Sequence, residues 1–88
     1  MRAGDSVRHR PTGEVWVLAF ADGNDLAPCG WPPCMGKVAD CDVVRACSDA
    51  EHRTMLELWA KKGTDDFRVS TARRQLFDLN RGFVGAGI

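Results

Sequence analysis

Residues 14–20, Glu-Val-Trp-Val-Leu-Ala-Phe, constrain this chain more than any other segment. In an extended strand Val15, Val17 and Ala19 point one way, while Trp16, Leu18 and Phe20 point the other. Both faces are apolar, so such a strand needs cover on both sides. The pattern predicts a small curved sheet enclosing one face and a helix lying on the other. Turn chemistry bounds the run, with Pro11-Thr12-Gly13 before it and Asp22-Gly23-Asn24-Asp25 after it.

Four further short runs read as strands: Ser6 to Arg10, Leu26 to Cys29, Lys37 to Ala39 and Asp42 to Ala46. Together they predict an α+β chain whose residues 5–47 form a small five-stranded antiparallel sheet or partly open barrel. The one stretch dense in Pro and Gly is Pro28-Cys29-Gly30-Trp31-Pro32-Pro33-Cys34-Met35-Gly36, a loop that sets Trp31 at its tip. Near Ser48 the composition turns to helix formers. Ser48 with Glu51 forms a capping box, Asp49 complements the positive end of the helix dipole, and Lys61-Lys62-Gly63 closes a helix over 49–62. Its His52, Met55, Leu56 and Trp59 fall in one stripe of roughly 100°, the expected core face. His52 lies within that stripe and reads as a core histidine with one ring nitrogen satisfied.

A second helix is expected over 65–80, capped by Thr64 or Asp65, with Val69, Ala72, Leu76 and Leu79 as its buried side. Off that side stand Phe67 and Phe77 with Arg73, Arg74 and Arg81. Aromatics among arginines are the composition enriched at the centres of protein interfaces. The plainer alternative is that Phe67 folds back under the helix start and Phe77 packs on the C-terminal tail. The whole chain, 1–88, reads as one domain: a strand-rich half (1–47), a helical half (48–82) and a loose tail (83–88).

The charge balance narrows the partners. Twelve basic and twelve acidic side chains give a formal charge of zero, which removes the usual electrostatic argument for nucleic acid. No apolar run approaches the roughly 20 residues that span a bilayer, and Met-Arg-Ala-Gly-Asp is no signal peptide, so a cytoplasmic protein without membrane contact is expected. Nothing in the pattern calls for a second copy, and a monomer is expected.

Cys29, Cys34, Cys41 and Cys47 form no Cys-x-x-Cys knuckle. If residues 41–47 are extended, Cys41 and Cys47 stand about 20 Å apart and cannot share a metal. A site of Cys29, Cys34 and Cys41 with His9 or His52 stays open. The simpler expectation is small buried hydrophobes and no cofactor, and a structural disulfide does not suit a reducing compartment. The chain has no nucleophile elbow, phosphate-binding loop or His-Glu-x-x-His helix, so no catalysis is expected.

Gly4-Asp5-x-Val7, a turn closing at Gly13 and the valine-rich strand resemble the opening of SH3-like barrels of the KOW and Tudor kind. Gly4-Asp5-x-Val7-Arg8-His9-x-Pro11-Thr12-Gly13-Glu14-x-Trp16, with Cys29-Gly30-Trp31-Pro32 and Asp40-Cys41, resembles a group of short phage and prophage proteins over residues 4 to about 50. Small accessory proteins of that kind work as stoichiometric binders. Among them are anti-CRISPR inhibitors, which cover a surface of a host CRISPR-Cas effector subunit and block DNA recognition. The resemblance therefore implies a protein partner in the host cytoplasm. The partner-binding residues expected are Arg8, Arg10, Trp31, Phe67, Arg73, Arg74, Phe77 and Arg81. The alternative is a nucleic-acid-binding barrel in which Arg8, His9 and Arg10 meet the backbone and Trp31 stacks on an unpaired base; Asp22, Asp25, Asp40 and Asp42 oppose it. A methyl-lysine reader would need an aromatic cage, and a chain without tyrosine has few aromatics to build one.

Overall fold

The computed structural model describes residues 1–30, 34–63 and 65–86, with side chains as far as Arg81. The expectations placed on Trp31, on Thr64 as a cap and on the side chains of the tail lie outside the described residues. The fold is α+β. Strands β1 (Ser6–His9), β2 (Val15–Asp22), β3 (Asp25–Pro28), β4 (Gly36–Lys37) and β5 (Cys41–Arg45) precede helices α1 (Asp49–Lys62) and α2 (Asp66–Ala86). The sheet is open and antiparallel, in the order β4-β3-β2-β1-β5.

The expected strand over Lys37 to Ala39 is corrected. Only Gly36–Lys37 is extended, and Val38–Asp40 forms a short 3-10 turn. The chain leaves one edge of the sheet after β4 and must reach the other edge to pair with β1, and the turn makes that passage. Val38 anchors it, donating its N–H to the Asn24 carbonyl at 2.9 Å and packing against the Leu18 cluster.

Both faces of β2 are covered over Leu18, Ala19 and Phe20, and the assignment of faces is corrected by a bulge. Leu18 pairs with Pro28 but Phe20 pairs with Ala27, so two residues of β2 oppose one of β3. That extra residue reverses the alternation. Leu18 and Ala21 pack with Val7, Leu26 and Cys41 on one side, whereas Ala19 joins Ala3, Leu56, Trp59, Ala60 and Ala72 under the helices. Phe20 leaves Leu18's side and meets Phe67 of α2 edge-on, centroids 5.9 Å apart at 87°. Before the bulge the cover stops. Val15 and Val17 are 57% and 45% exposed, so the two-sided burial expected for all of 14–20 holds for its second half only.

Helix α1 begins where its capping box predicts. Ser48 Oγ accepts from the Glu51 N–H at 3.1 Å, and Glu51 Oε1 accepts from the Ser48 N–H at 3.0 Å. Leu56, Trp59 and Ala60 are buried on its core side, and His52 Nδ1 donates to the Ala3 carbonyl at 2.9 Å. Its end is set by packing rather than by a left-handed cap, since Gly63 has φ −65°. A Cβ there would lie 2.4 Å from Val69 Cγ2 and 2.6 Å from the Trp59 carbonyl oxygen. Gly63→Ala is therefore expected to lose about 1–3 kcal/mol in urea unfolding, the range for overpacking a filled site; a neutral result would show that the two helices can separate freely at this corner.

Asp65 caps α2, its Oδ1 accepting from the Arg68 N–H at 3.0 Å. The helical backbone continues past the expected end at Asn80 to Ala86. Ala72 is buried, while Val69, Leu76 and Leu79 are half-buried. The helices meet the sheet chiefly through β2: Gln75 Nε2 donates to the Ala21 carbonyl at 2.8 Å, and Arg74 pairs with Asp22 in the β2–β3 turn.

Candidate functional site

The sequence-derived residues separate into groups with different roles. Arg10 donates to Asp42 at 2.6 Å and to the Ala39 carbonyl, bracing the start of β5 against the end of β1. Arg8 is exposed on β1, opposite Val15 and Asp42. Arg8 belongs to the sheet and Arg10 to the turn that follows β1. Phe67 is half-buried against Phe20, so it contributes to packing, and Arg74 is held by Asp22. Phe77 differs. It is 64% exposed, the largest value among the exposed large hydrophobics of the described residues.

The geometry around Phe77 follows from how α1 and α2 pair. Two side-chain bridges join them: Arg73 Nε donates to the Ala60 carbonyl at 3.1 Å, and Arg53 Nη1 donates to Asn80 Oδ1 at 2.6 Å. Phe77 sits between those bridges on α2, four residues after Arg73 and four before Arg81, which places all three on one helix face. From α1, Arg53 reaches the seam and the exposed Lys61 stands two turns further on, whereas Lys62, about half a turn round the helix from Arg53, lies beside Thr54 and Leu58 on the other side.

Ion pairing divides the cations unevenly. Among the described residues six ion pairs engage Arg2, Arg10, Lys37, Arg45, Arg68 and Arg74. Arg8, Arg53, Lys61, Lys62, Arg73 and Arg81 stand outside these pairs, and all but Arg8 lie on the helical pair. A chain with no net charge thus carries an unneutralised basic face around one exposed phenylalanine. The acidic groups nearest in sequence are Glu57, between Arg53 and Lys61 on α1, the exposed Asp66 at the start of α2, seven residues before Arg73, and Asp78 beside Phe77; Asp65 is taken by Arg68.

Two features escaped sequence reasoning. The first is an apolar groove of about 410 Å³ between the sheet and α1, with Gly4, Ser6 and Ala50 at its small-residue positions and Val17, Met55 and Leu58 as its larger apolar lining. It follows from the uncovered first half of β2, and the signal was there in small residues facing a valine. The second is Arg68, 1% exposed. Its guanidinium stacks 4.3 Å from the Trp59 ring centroid and donates to the carbonyls of Pro28 (2.6 Å) and Gly30 (2.9 Å) and to Asp65 (2.5 Å). It stands four residues before Ala72, on the buried stripe, and that spacing was the available sign.

The cysteine–histidine metal set is not assembled. Cys29 Sγ faces Met55 Sδ at 3.7 Å, Cys41 lies with Val7 and Leu18, and Cys34 is exposed. His9 stacks on Trp16, centroids 4.3 Å apart, with Nδ1 2.9 Å from Thr12 Oγ1. Among the described residues no three His, Cys, Asp or Glu side chains are placed to hold a metal ion. Burial pushes the thiols of Cys29, Cys41 and Cys47 up, away from the reactive thiolate. Among the described residues no helix is long and apolar enough to cross a membrane. Comparison with known proteins adds no relative: no family model, curated protein or solved structure matches this chain.

Proposed function

We propose that this chain is a non-catalytic, stoichiometric protein-binding module of the small phage and prophage kind, built on an SH3-like sheet, and that it inhibits a host CRISPR-Cas effector by covering part of its surface. The observation that carries the binding reading is Phe77, exposed between Arg73 and Arg81 on a face that no part of the described chain covers. An exposed aromatic side chain flanked by arginines is the composition enriched at the cores of protein interfaces. The SH3-like reading is supported by strands β1 to β4 in sequence and a 3-10 turn leading to a last strand on β1. The choice of a defence complex rests on the phage resemblance of residues 4–50. The nucleic-acid alternative is weakened by the loss of Arg10 to Asp42.

Plaque formation on a host with active CRISPR interference tests this reading. Expression of the chain is expected to restore plaques, and Phe77→Ala at equal protein level is expected to lose at least about tenfold of that effect, the scale of a hot-spot truncation. Unchanged interference with every effector type tried would refute the inhibitor reading, and full activity of Phe77→Ala would remove its assigned surface.

A further inference from the structure

Resting on that reading, we infer that the partner surface is acidic: an apolar pocket for Phe77 rimmed by carboxylates, so that inhibition works by capping an acidic face and not by imitating DNA. A protein that imitates DNA offers carboxylates to the lysines and arginines that hold phosphates. This face offers the opposite. Arg73 and Arg81 flank Phe77 on its own helix face, and Arg53 and Lys61 stand on the neighbouring side of α1, none of them within the six ion pairs of the described residues, while Arg74 is already neutralised by Asp22.

The bridges of the seam also orient the cations. Arg73 spends its Nε on the Ala60 carbonyl, which leaves the guanidinium's outer nitrogens for a second acceptor and keeps its charge uncompensated. Arg53 is held in the same way by the neutral amide oxygen of Asn80. Two arginines tethered through neutral acceptors are pre-ordered forks, and carboxylates match the fork geometry. Glu57 on α1 and Asp66 and Asp78 on α2 are the carboxylates that face or flank these groups, three against the four cations Arg53, Lys61, Arg73 and Arg81, and only Arg73 and Arg81 lie within four residues of Phe77 on its own face. A phosphate-binding surface of an effector would be repelled from this face. Like charges across an interface cost several kcal/mol, which directs the module to a different part of its target.

The test uses the isotope-labelled full chain and three probes of matched length: an amphipathic Glu/Leu helical peptide, a Lys/Leu counterpart, and single-stranded oligothymidylate. The Glu/Leu peptide is expected to shift the amide signals of residues 73–81 and 53–62, to bind about tenfold tighter than the Lys/Leu peptide, and to weaken as salt rises. Phe77→Ala and the Arg73→Glu/Arg81→Glu pair should each abolish the shifts while the rest of the spectrum stays folded. Equal binding of the Lys/Leu peptide, no binding of the Glu/Leu peptide, or tighter binding of oligothymidylate would overturn the inference, the last in favour of nucleic acid. Plaque restoration by the chain without preference for the acidic peptide would leave the inhibitor reading standing and sink this one alone.

Discussion

Arg68→Ala is expected to remove roughly 3–5 kcal/mol of stability, the cost of breaking a buried ion pair from one side. The loss has three sources. Asp65, itself largely buried, keeps a charge without its partner; the carbonyls of Pro28 and Gly30 lose their donor; and the face of Trp59 loses the guanidinium stacked on it. Arg68→Lys keeps the charge but cannot reach three acceptors with a planar fork, so most of the loss should remain. Arg68→Met with Asp65→Ser should recover part of it, because the serine still caps α2 while the uncompensated carboxylate is gone. Urea unfolding of the four proteins checks this. An Arg68→Ala variant within about 0.5 kcal/mol of the parent, the range of an ordinary surface change, would mean that Arg68 does not hold β3 to α2.

The second large effect is at Asp5, where the N-terminus, β1 and the start of α1 meet. Its carboxylate is buried, and its Oδ1 accepts from the Cys47 N–H at 2.8 Å while Oδ2 accepts from the Arg2 N–H at 3.1 Å. Gly4 beside it takes φ +96°, and a Cβ there would stand 3.1 Å from Cys47 Sγ, so the two segments touch without room for a side chain. Burial alone would raise the Asp5 carboxyl. The N–H and thiol of Cys47 and the N–H of Arg2 outweigh it and hold the group below its ordinary value. A carboxylate depressed in the folded state adds stability that is fully present above its unfolded value of 3.8 and is lost as pH falls through the lower folded value. Asp5→Ala should cost about 2–3 kcal/mol near neutral pH, since it strands the Cys47 N–H. Asp5→Asn should keep one hydrogen bond, present its amide protons to the Arg2 N–H, and flatten the acid limb of the stability curve. An acid limb identical in Asp5→Asn and the parent would contradict this assignment.

What the sequence disclosed is what local chemistry decides. Ser48 and Glu51 cap a helix wherever they stand three residues apart ahead of an amphipathic run, and α1 spans 49–62 as that pattern predicts. The strand at 15–22 was legible because its alternation lies between two turn sequences. The bulge at Ala19 was not, because register is fixed by the partner strand, and Phe20 crossed to the helix side as a consequence. Arg68 was missed because arginine reads as surface by default, although its spacing from Ala72 put it on the buried stripe. At the site, the helix wheel separated Phe77 from the apolar stripe, but it could not distinguish Arg73, tethered through a neutral carbonyl, from Arg74, neutralised by Asp22 in another element. That distinction is tertiary, and it decides where the uncompensated charge lies.

The paired helices α1 and α2 have one side that holds the fold together, with Leu56 at its centre, and another, around Phe77, that serves only recognition. Denaturant unfolding of Phe77→Ala beside Leu56→Ala measures this directly. Leu56 is wholly buried, and its truncation should cost about 2–5 kcal/mol, whereas Phe77→Ala should stay within about 0.5 kcal/mol of the parent. A Phe77→Ala loss as large as that of Leu56→Ala would show that Phe77 is part of the core, and the recognition surface built around it would not exist.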